Sequence, residues 1–330
     1  MDIENKTILI TGSDGFVGSH LVQRFLEENC TIRAFVLYNS LNRYGWLDTI
    51  ENKQLKDIKI IAGDIRDYNL VKKAVKGVDI VCHLAALIGI PYSYVAPESY
   101  IDTNAKGTLN IVHAAKENNL KKVIITSTSE TYGSALYTPI DEKHPYQPQS
   151  PYSASKVAAD AIALSYFYSF KTPVSIIRPF NIYGPRQSTR AIIPTIITQI
   201  LKKDEIDLGN LSPKRDFTYV KDTCEAYIKL IRADNVEGEI INIGTAKEIS
   251  IQDLALKIKQ LMHSNAEIKS KTERKRIQTS EVDLLKADNT KALKLINWKP
   301  TYSLEEGLKF TIDWFSKKEN LDLYKLGYTI

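Results

Sequence analysis

The chain has 330 residues, 43% of them hydrophobic, and a formal net charge of +5. It is long enough for one large domain and a smaller one, and its modest charge argues against a nucleic-acid partner. Three scattered cysteines, Cys30, Cys82 and Cys224, suggest neither a disulfide framework nor a zinc site. The apolar run Thr7–Thr11 after Met1–Lys6 is too brief for a signal sequence or a membrane span, so a protein of the reducing cytoplasm, with no membrane partner, is expected.

Short β-branched runs alternate with amphipathic stretches from residue 6 to about residue 180, the pattern of βα units around a parallel sheet. The predicted strands are Thr7–Thr11, Ile32–Leu37, Ile58–Ala62, Ile80–Leu84, Val123–Ser127 and Val174–Arg178. Ile8-Leu9-Ile10 lacks polar alternation, as a strand covered on both faces should. Beyond Arg178-Pro179 the alternation stops, and helical stretches are expected near 191–203, 251–263, 290–296 and 304–318. The segments Asp216–Val220 and Ile240–Ile243 read as the chain returning to the first sheet. The fold class is therefore α/β, a Rossmann-type doubly wound parallel sheet (residues 1–178 plus about 216–245) with a smaller C-terminal α/β substrate domain (about 179–215 and 246–330).

The first strand runs into Thr11-Gly12-Ser13-Asp14-Gly15-Phe16-Val17-Gly18 and a helical stretch from His20. Glycines there permit a tight turn, close approach to a pyrophosphate and helix packing, while the helix N-terminus offers free N–H groups. The spacing is GxxGxxG, not the usual GxGxxG. A plain βα turn has the same glycines, but the position between strand and helix at the start of the chain favours a dinucleotide. NAD binders usually carry an acid near the end of the second strand, yet none occurs from Thr31 to Leu47. Tyr38, Asn39, Ser40 and Arg43 stand there instead, a set suited to a 2′-phosphate, which favours NADP; read as an ordinary polar loop, the same stretch leaves NAD. Asp64, after the third strand, places a carboxylate near the adenine or serves as a helix cap.

Tyr152-Ser-Ala-Ser-Lys156 puts a phenol and an ammonium one helical turn apart. Tyr68 and Lys72 share the spacing, but only the 152 pair leads an apolar helix and follows a hydroxyl cluster, Ser127-Thr128-Ser129-Glu130-Thr131-Tyr132-Gly133, at a strand end. A tyrosine needs a neighbouring cation to take a proton at neutral pH.

These residues, with HLAA at 83–86, TNAKGTLN at 103–110, SPYSASK at 150–156, RPFNIYGPR at 178–186 and KRDFTYVKD at 214–222, resemble the extended short-chain dehydrogenase/reductases that act on nucleotide sugars, and among them the 4,6-dehydratases. The resemblance covers essentially the whole chain and is nearest to the enzymes that dehydrate an N-acetylglucosamine nucleotide in legionaminic-acid-type pathways. It implies that Thr128 bonds the sugar 4-hydroxyl, Tyr152 deprotonates it, and Lys156 holds the ribose and tunes the tyrosine. C4 is oxidised, Glu130 removes the acidified C5 proton, water leaves from C6, and hydride returns there. Position 129 departs from the glucose-nucleotide dehydratases, which carry an acid; Ser129 gives Thr-Ser-Glu, as in GDP-mannose dehydratases and UDP-glucuronate decarboxylases, and leaves the leaving-group acid open. The cofactor, NADP or NAD, is expected to meet Gly12, Gly15, Phe16, Val17, Gly18, Tyr38, Asn39, Ser40, Arg43, Asp64, Ile65, Leu84, Ala85, Ala86, Tyr152 and Lys156. Substrate contacts are expected from Ser129, Asn181, Arg215 and Arg276, the last in the basic run Lys269–Arg276, which otherwise reads as a solvated loop face.

The five histidines have no metal-ligand spacing, so no metal is expected. A 4-epimerase uses the same Thr, Tyr and Lys without needing Glu130; a silent binding protein on this fold would need none of the four. The helix from Tyr152 to Leu164 and the run Ile111–Ala115 are apolar on nearly all faces, which predicts a homodimer through a four-helix bundle.

Overall fold

The structure, a computed structural model, describes residues 1–51, 55–56, 58–274 and 277–324. Its first half runs β1 (Thr7–Thr11), α1 (Phe16–Leu26), β2 (Thr31–Leu37), β3 (Ile58–Gly63), α2 (Tyr68–Val75), β4 (Ile80–His83), α3 (Gly107–Glu117), β5 (Lys122–Thr126), α4 (Pro151–Phe170) and β6 (Val174–Pro179). The remainder is β7 (Asn181–Tyr183), α5 (Ile192–Ile200), β8 (Glu205–Leu208), β9 (Lys214–Tyr219), α6 (Val220–Arg232), β10 (Ile240–Ile243), β11 (Glu248–Ser250), α7 (Ile251–Leu261), β12 (Glu267–Ser270), α8 (Thr290–Ile296) and α9 (Leu304–Ser316). All six predicted strands and all four predicted later helices are present, displaced by a few residues at their ends at most.

Seven strands form one sheet in the order β3-β2-β1-β4-β5-β6-β10, every neighbouring pair parallel. Successive residues of β1 feed opposite cores. Ile8 and Ile10 join Leu21, Val22 and Phe25 of α1 on one face, while Leu9 joins Val81, Ile111 and Val112 on the other. Burial on both faces is why the strand shows no polar alternation. The chain leaves β1 toward β2 on one side and later returns through β4 on the other, so a crevice opens between the carboxyl ends of β1 and β4, the place where doubly wound sheets bind ligands.

One expectation is half right. Ile240–Ile243 does return to the first sheet, as β10 beside β6. Asp216–Tyr219 does not: β9 pairs with β7 in parallel and with β11 in antiparallel, making a separate three-stranded sheet. The edge place beside β6 is taken by β10, and β9 instead leads into α6, whose Val220, Cys224 and Tyr227 pack under the large sheet. Trp298, 1% exposed, donates its indole N–H to Asp222 O at 2.9 Å, and the Asp222 carboxylate accepts from Thr301 and Tyr302 N–H, fastening the C-terminal segment to the start of α6. Among the described residues, no helix is long and apolar enough to cross a membrane, and no group of three or more metal-ligating side chains gathers.

Candidate active site

The glycine loop closes over the β1–β4 crevice. Gly12 has φ +70°, and a Cβ there would lie 2.8 Å from Ala85 N, so only glycine lets the loop rest on Leu84 and Ala85. A Cβ on Gly18 would lie 2.0 Å from Gly12 O, so this position lets α1 pack onto the loop. Gly15 caps α1 and brings no side chain to the first N–H groups of the helix. The N-terminus of α1, from exposed Gly15 to half-buried Phe16 and Val17, is thus left to an outside acceptor, which fits the pyrophosphate of a dinucleotide.

A directed hydrogen-bond chain ties this loop to β4. Thr11 Oγ1 accepts from Leu84 N–H and Ala85 N–H, both at 3.2 Å, which leaves its own proton for His83 Nδ1 at 2.8 Å. The imidazole therefore carries its proton on Nε2 and donates it to Thr108 Oγ1 at 3.3 Å; Thr108 in turn donates to Asn104 O at 2.6 Å. Burial pushes His83 down to about 3, and the charge of Lys156 acts in the same direction. His83 therefore binds a proton in the unfolded chain, below its ordinary 6.5, well before it does so in the fold. Stability present above 6.5 is lost as pH falls toward 3, on the order of 3 kcal/mol near pH 4. Urea unfolding of the parent and His83→Gln at pH 7 and pH 4 checks this: the parent should lose more stability on acidification than the variant.

At the end of β5, Thr128 is extended and caps the single helical turn Ser129–Tyr132, its Oγ1 accepting from Glu130 N–H at 3.3 Å. That cap puts half-buried Glu130 and buried Ser129 on the turn beside it. Ser150 and Ser153 form a reciprocal cap at the start of α4, with Pro151 in the first turn, so Tyr152 and Lys156 fall on successive turns. The Tyr152 ring packs edge-on to Tyr100 at 6.2 Å. Burial raises the phenol well above its ordinary value; the neighbouring Thr128 side chain opposes this, and the charge of Glu130 adds to it. Thr128, Glu130 and Tyr152 are thus brought together. The Lys156 ammonium donates to Thr126 O. Burial pushes it down to about 8, while Asp160 one turn on acts upward, so the ammonium keeps its proton at neutral pH.

Behind this pair lies a charged cluster that the sequence reading missed. Asp160 Oδ2 accepts from Ser127 Oγ–H and from the Arg178 guanidinium, both at 2.6 Å, and the arginine is 0% exposed. Arg178 also donates to Tyr132 and Tyr146 hydroxyls and stacks between their rings at 4.7 and 5.0 Å. An acid inside the apolar run Val157–Leu164 and an arginine ending a buried strand were the available signals.

The remaining expected residues are more dispersed. Asn181 faces Phe217 in the β7–β9 register, with its Oδ1 buried and unbonded among the described residues. Arg215, two residues before Phe217 and so on the same face, pairs with Glu281 at 3.4 Å. Arg276 lies outside the described residues. Tyr38, Asn39, Ser40 and Arg43 are exposed, but the Asn39 amide is spent within its loop, donating to Leu37 O and Arg43 O. Asp64 is held by Arg66 at 2.6 Å, a bond that lowers its carboxyl; the helix cap considered for it belongs to Asp67, which accepts from Leu70 N–H. Ile65 packs beneath Gly107, where a Cβ would lie 2.5 Å from its Cδ1. Leu84, Ala85 and Ala86 line the crevice at the end of β4, half-buried.

The sequence profile of the GDP-mannose 4,6 dehydratase family matches residues 9–311. The chain belongs to that family. Its dehydratase-family relatives include the dTDP-D-glucose 4,6-dehydratase of Mus musculus, 34% identical across 94% of this chain and 89% of the relative. Family members with other activities are also close: the UDP-N-acetyl-alpha-D-glucosaminuronate decarboxylase of Bacillus cytotoxicus is 36% identical across 96% of this chain and 99% of the relative. A crystal structure of the UDP-glucuronic acid 4-epimerase of Bacillus cereus, in complex with UDP-glucuronic acid and NAD, superposes with a TM-score of 0.84 at 28% identity, covering 96% of this chain and 100% of that one. The dehydratase-family fold, an extended short-chain dehydrogenase/reductase with a Rossmann-type sheet, is therefore the frame in which the site is to be read.

Proposed function

We propose that the protein is an NAD(P)-dependent nucleotide-sugar 4,6-dehydratase acting on a GDP- or UDP-linked N-acetylglucosamine. The observation that carries this reading is Glu130: a half-buried carboxylate on the Thr128 turn whose charge is felt at the Tyr152 phenol. Oxidation at C4 alone needs Thr128, Tyr152 and Lys156; a carboxylate beside them suits the removal of a second proton, at C5.

A bound nicotinamide dinucleotide supplies the reversible two-electron chemistry. Thr128 orients the sugar 4-hydroxyl, and Tyr152 takes its proton, the Lys156 charge favouring the phenolate. A ketone at C4 acidifies the C5 proton, which Glu130 removes, and the C6 hydroxyl leaves as water. Glu130, once protonated, returns that proton to the leaving hydroxyl in this reading, since Ser129 carries no acid; C6 then takes the hydride back and C5 the proton that Tyr152 holds, which closes the cycle. In this reading the diphosphate is held by Asn181, Arg215 and Arg276.

Incubating the purified protein with GDP- and UDP-linked N-acetylglucosamine and reading product masses tests the reading. Loss of one water is expected; an unchanged mass with inverted configuration at C4 overturns it in favour of epimerisation. Glu130→Gln is expected to slow water loss by roughly 10²- to 10⁴-fold and to stop deuterium uptake at C5 from heavy water, with dinucleotide affinity unchanged.

The protein works as a homodimer in this reading. The expected run Ile111–Ala115 is, apart from His113, buried in the chain's own core, so the apolar face left for a partner is instead Leu109 of α3 with Tyr168 and Phe170 of α4, which a second copy of the same pair would cover in a four-helix bundle. Sedimentation at micromolar concentration should give twice the chain mass; a monomer removes the idea.

A further inference from the structure

We infer that Asp14, inside the phosphate loop, is the carboxylate that grips the adenosine ribose and makes this protein select NAD over NADP. The inference rests on the dinucleotide reading above. Rossmann domains commonly place the ribose-binding acid at the carboxyl end of the second strand. Here that strand ends at Leu37, and Tyr38 follows, 72% exposed. No acid of β2 or of the segment directly after it is available, because none occurs between Thr31 and Leu47.

The fold brings one in from elsewhere. Asp14 Oδ2 accepts from Leu37 N–H at 3.3 Å, which fixes a carboxylate at the end of β2 from the loop that follows the neighbouring strand β1. Its backbone is held as well: Asp14 O accepts from Trp46 N–H at 3.0 Å. Gly45, at φ +59°, could carry no side chain, since a Cβ would lie 2.4 Å from Asp14 O and 2.9 Å from Asp14 Cβ. The loop after β2 is thus folded tightly over Asp14. Burial raises this carboxyl, with backbone hydrogen bonds, Leu37 N–H among them, opposing the rise.

A fixed carboxylate held by two backbone N–H groups, its own and that of Leu37, has about four lone-pair sites and so keeps acceptor capacity for the two ribose hydroxyls. The same charge repels a 2′-phosphate. Of the polar set after β2, the Asn39 side chain is occupied with its own loop, which leaves exposed Arg43 as the cation that competes with this assignment.

Asp14→Asn is the decisive variant, since its amide oxygen still accepts from Leu37 N–H while the charge is gone. Calorimetric titration of nucleotide-free protein with NAD and NADP gives the readout without turnover. The parent should bind NAD at least tenfold more tightly than NADP. In Asp14→Asn the ratio should fall by roughly 10- to 100-fold, the scale of one hydrogen bond to a charged group. Asp14→Ser, which shortens the acceptor, should shift the ratio in the same direction, and a thermal melt of each variant verifies that the fold is intact. A parent that prefers NADP, or a folded Asp14→Asn protein whose ratio stays within twofold of the parent, overturns the assignment and leaves Asp14 as a loop clamp. Binding of neither dinucleotide by the parent overturns the dinucleotide reading, and the assignment with it.

Discussion

Tyr152→Phe is expected to lower turnover by roughly 10²- to 10⁴-fold while leaving dinucleotide affinity and folding nearly unchanged. The ring is buried and packs on Tyr100, and phenylalanine keeps that contact. What disappears is one hydroxyl, the group that removes the sugar proton in the proposed function. The glycine loop proposed for the dinucleotide is built from β1, α1 and the Leu84–Ala85 segment and does not depend on it. Lys156→Met should be nearly as damaging to turnover, but it removes a charge whose ammonium also anchors α4 to Thr126 O, so some stability should be lost with it. Single-turnover kinetics with the nucleotide sugar, followed by nicotinamide absorbance, checks the pair. A phenylalanine variant within tenfold of the parent means that another group takes the first proton.

The second large effect is on stability. Removing one partner of the Asp160–Arg178 pair strands the other charge in a site with no water access, at a cost of about 3–5 kcal/mol. Arg178→Met should therefore unfold in urea well before the parent, and Arg178→Met with Asp160→Leu should recover much of the loss, because the pair is then replaced by apolar volume. Asp160→Asn adds a functional signature. Asp160 holds the Lys156 pKa up against burial; without its charge Lys156 falls further below about 8, and the alkaline limb of the pH–rate profile moves to lower pH. An unchanged limb in a folded Asp160→Asn protein sinks the link between this cluster and catalysis.

The frame of the molecule was readable from the chain alone because it rests on local signals. Unalternated β-branched runs marked each strand of the parallel sheet, and a glycine loop between strand and helix marked its crevice. Tyr152 and Lys156 stood out through their spacing, the apolar helix they lead and the hydroxyl cluster before them. Arrangements made across the fold were not readable. Nothing in Asp216–Tyr219 tells which of two sheets it joins; that depends on the edge place beside β6 being filled by β10, 21 residues after Tyr219. Asp160 and Arg178 are 18 positions apart and meet only because α4 lies against β6. The absence of an acid after β2 was visible, but its replacement by Asp14, 23 positions upstream of Leu37, becomes evident only when the loop is folded onto the strand.

The interleaving of β9 and β10 bears on how this scaffold can be re-engineered. A clean splice after β6, exchanging everything from residue 180 onward for the sugar-binding half of a relative, would also remove β10, the edge strand that pairs with β6. It would take away Asn242, whose side chain accepts from Tyr132 and so helps to set the ring that stacks on Arg178. Grafts should instead come as two pieces, with joints near 180 and 219 for the first and beyond 245 for the second, so that α6 and β10 stay native. Laboratory recombination with cuts at those joints should yield folded chimaeras with altered sugar preference far more often than a single crossover at 180.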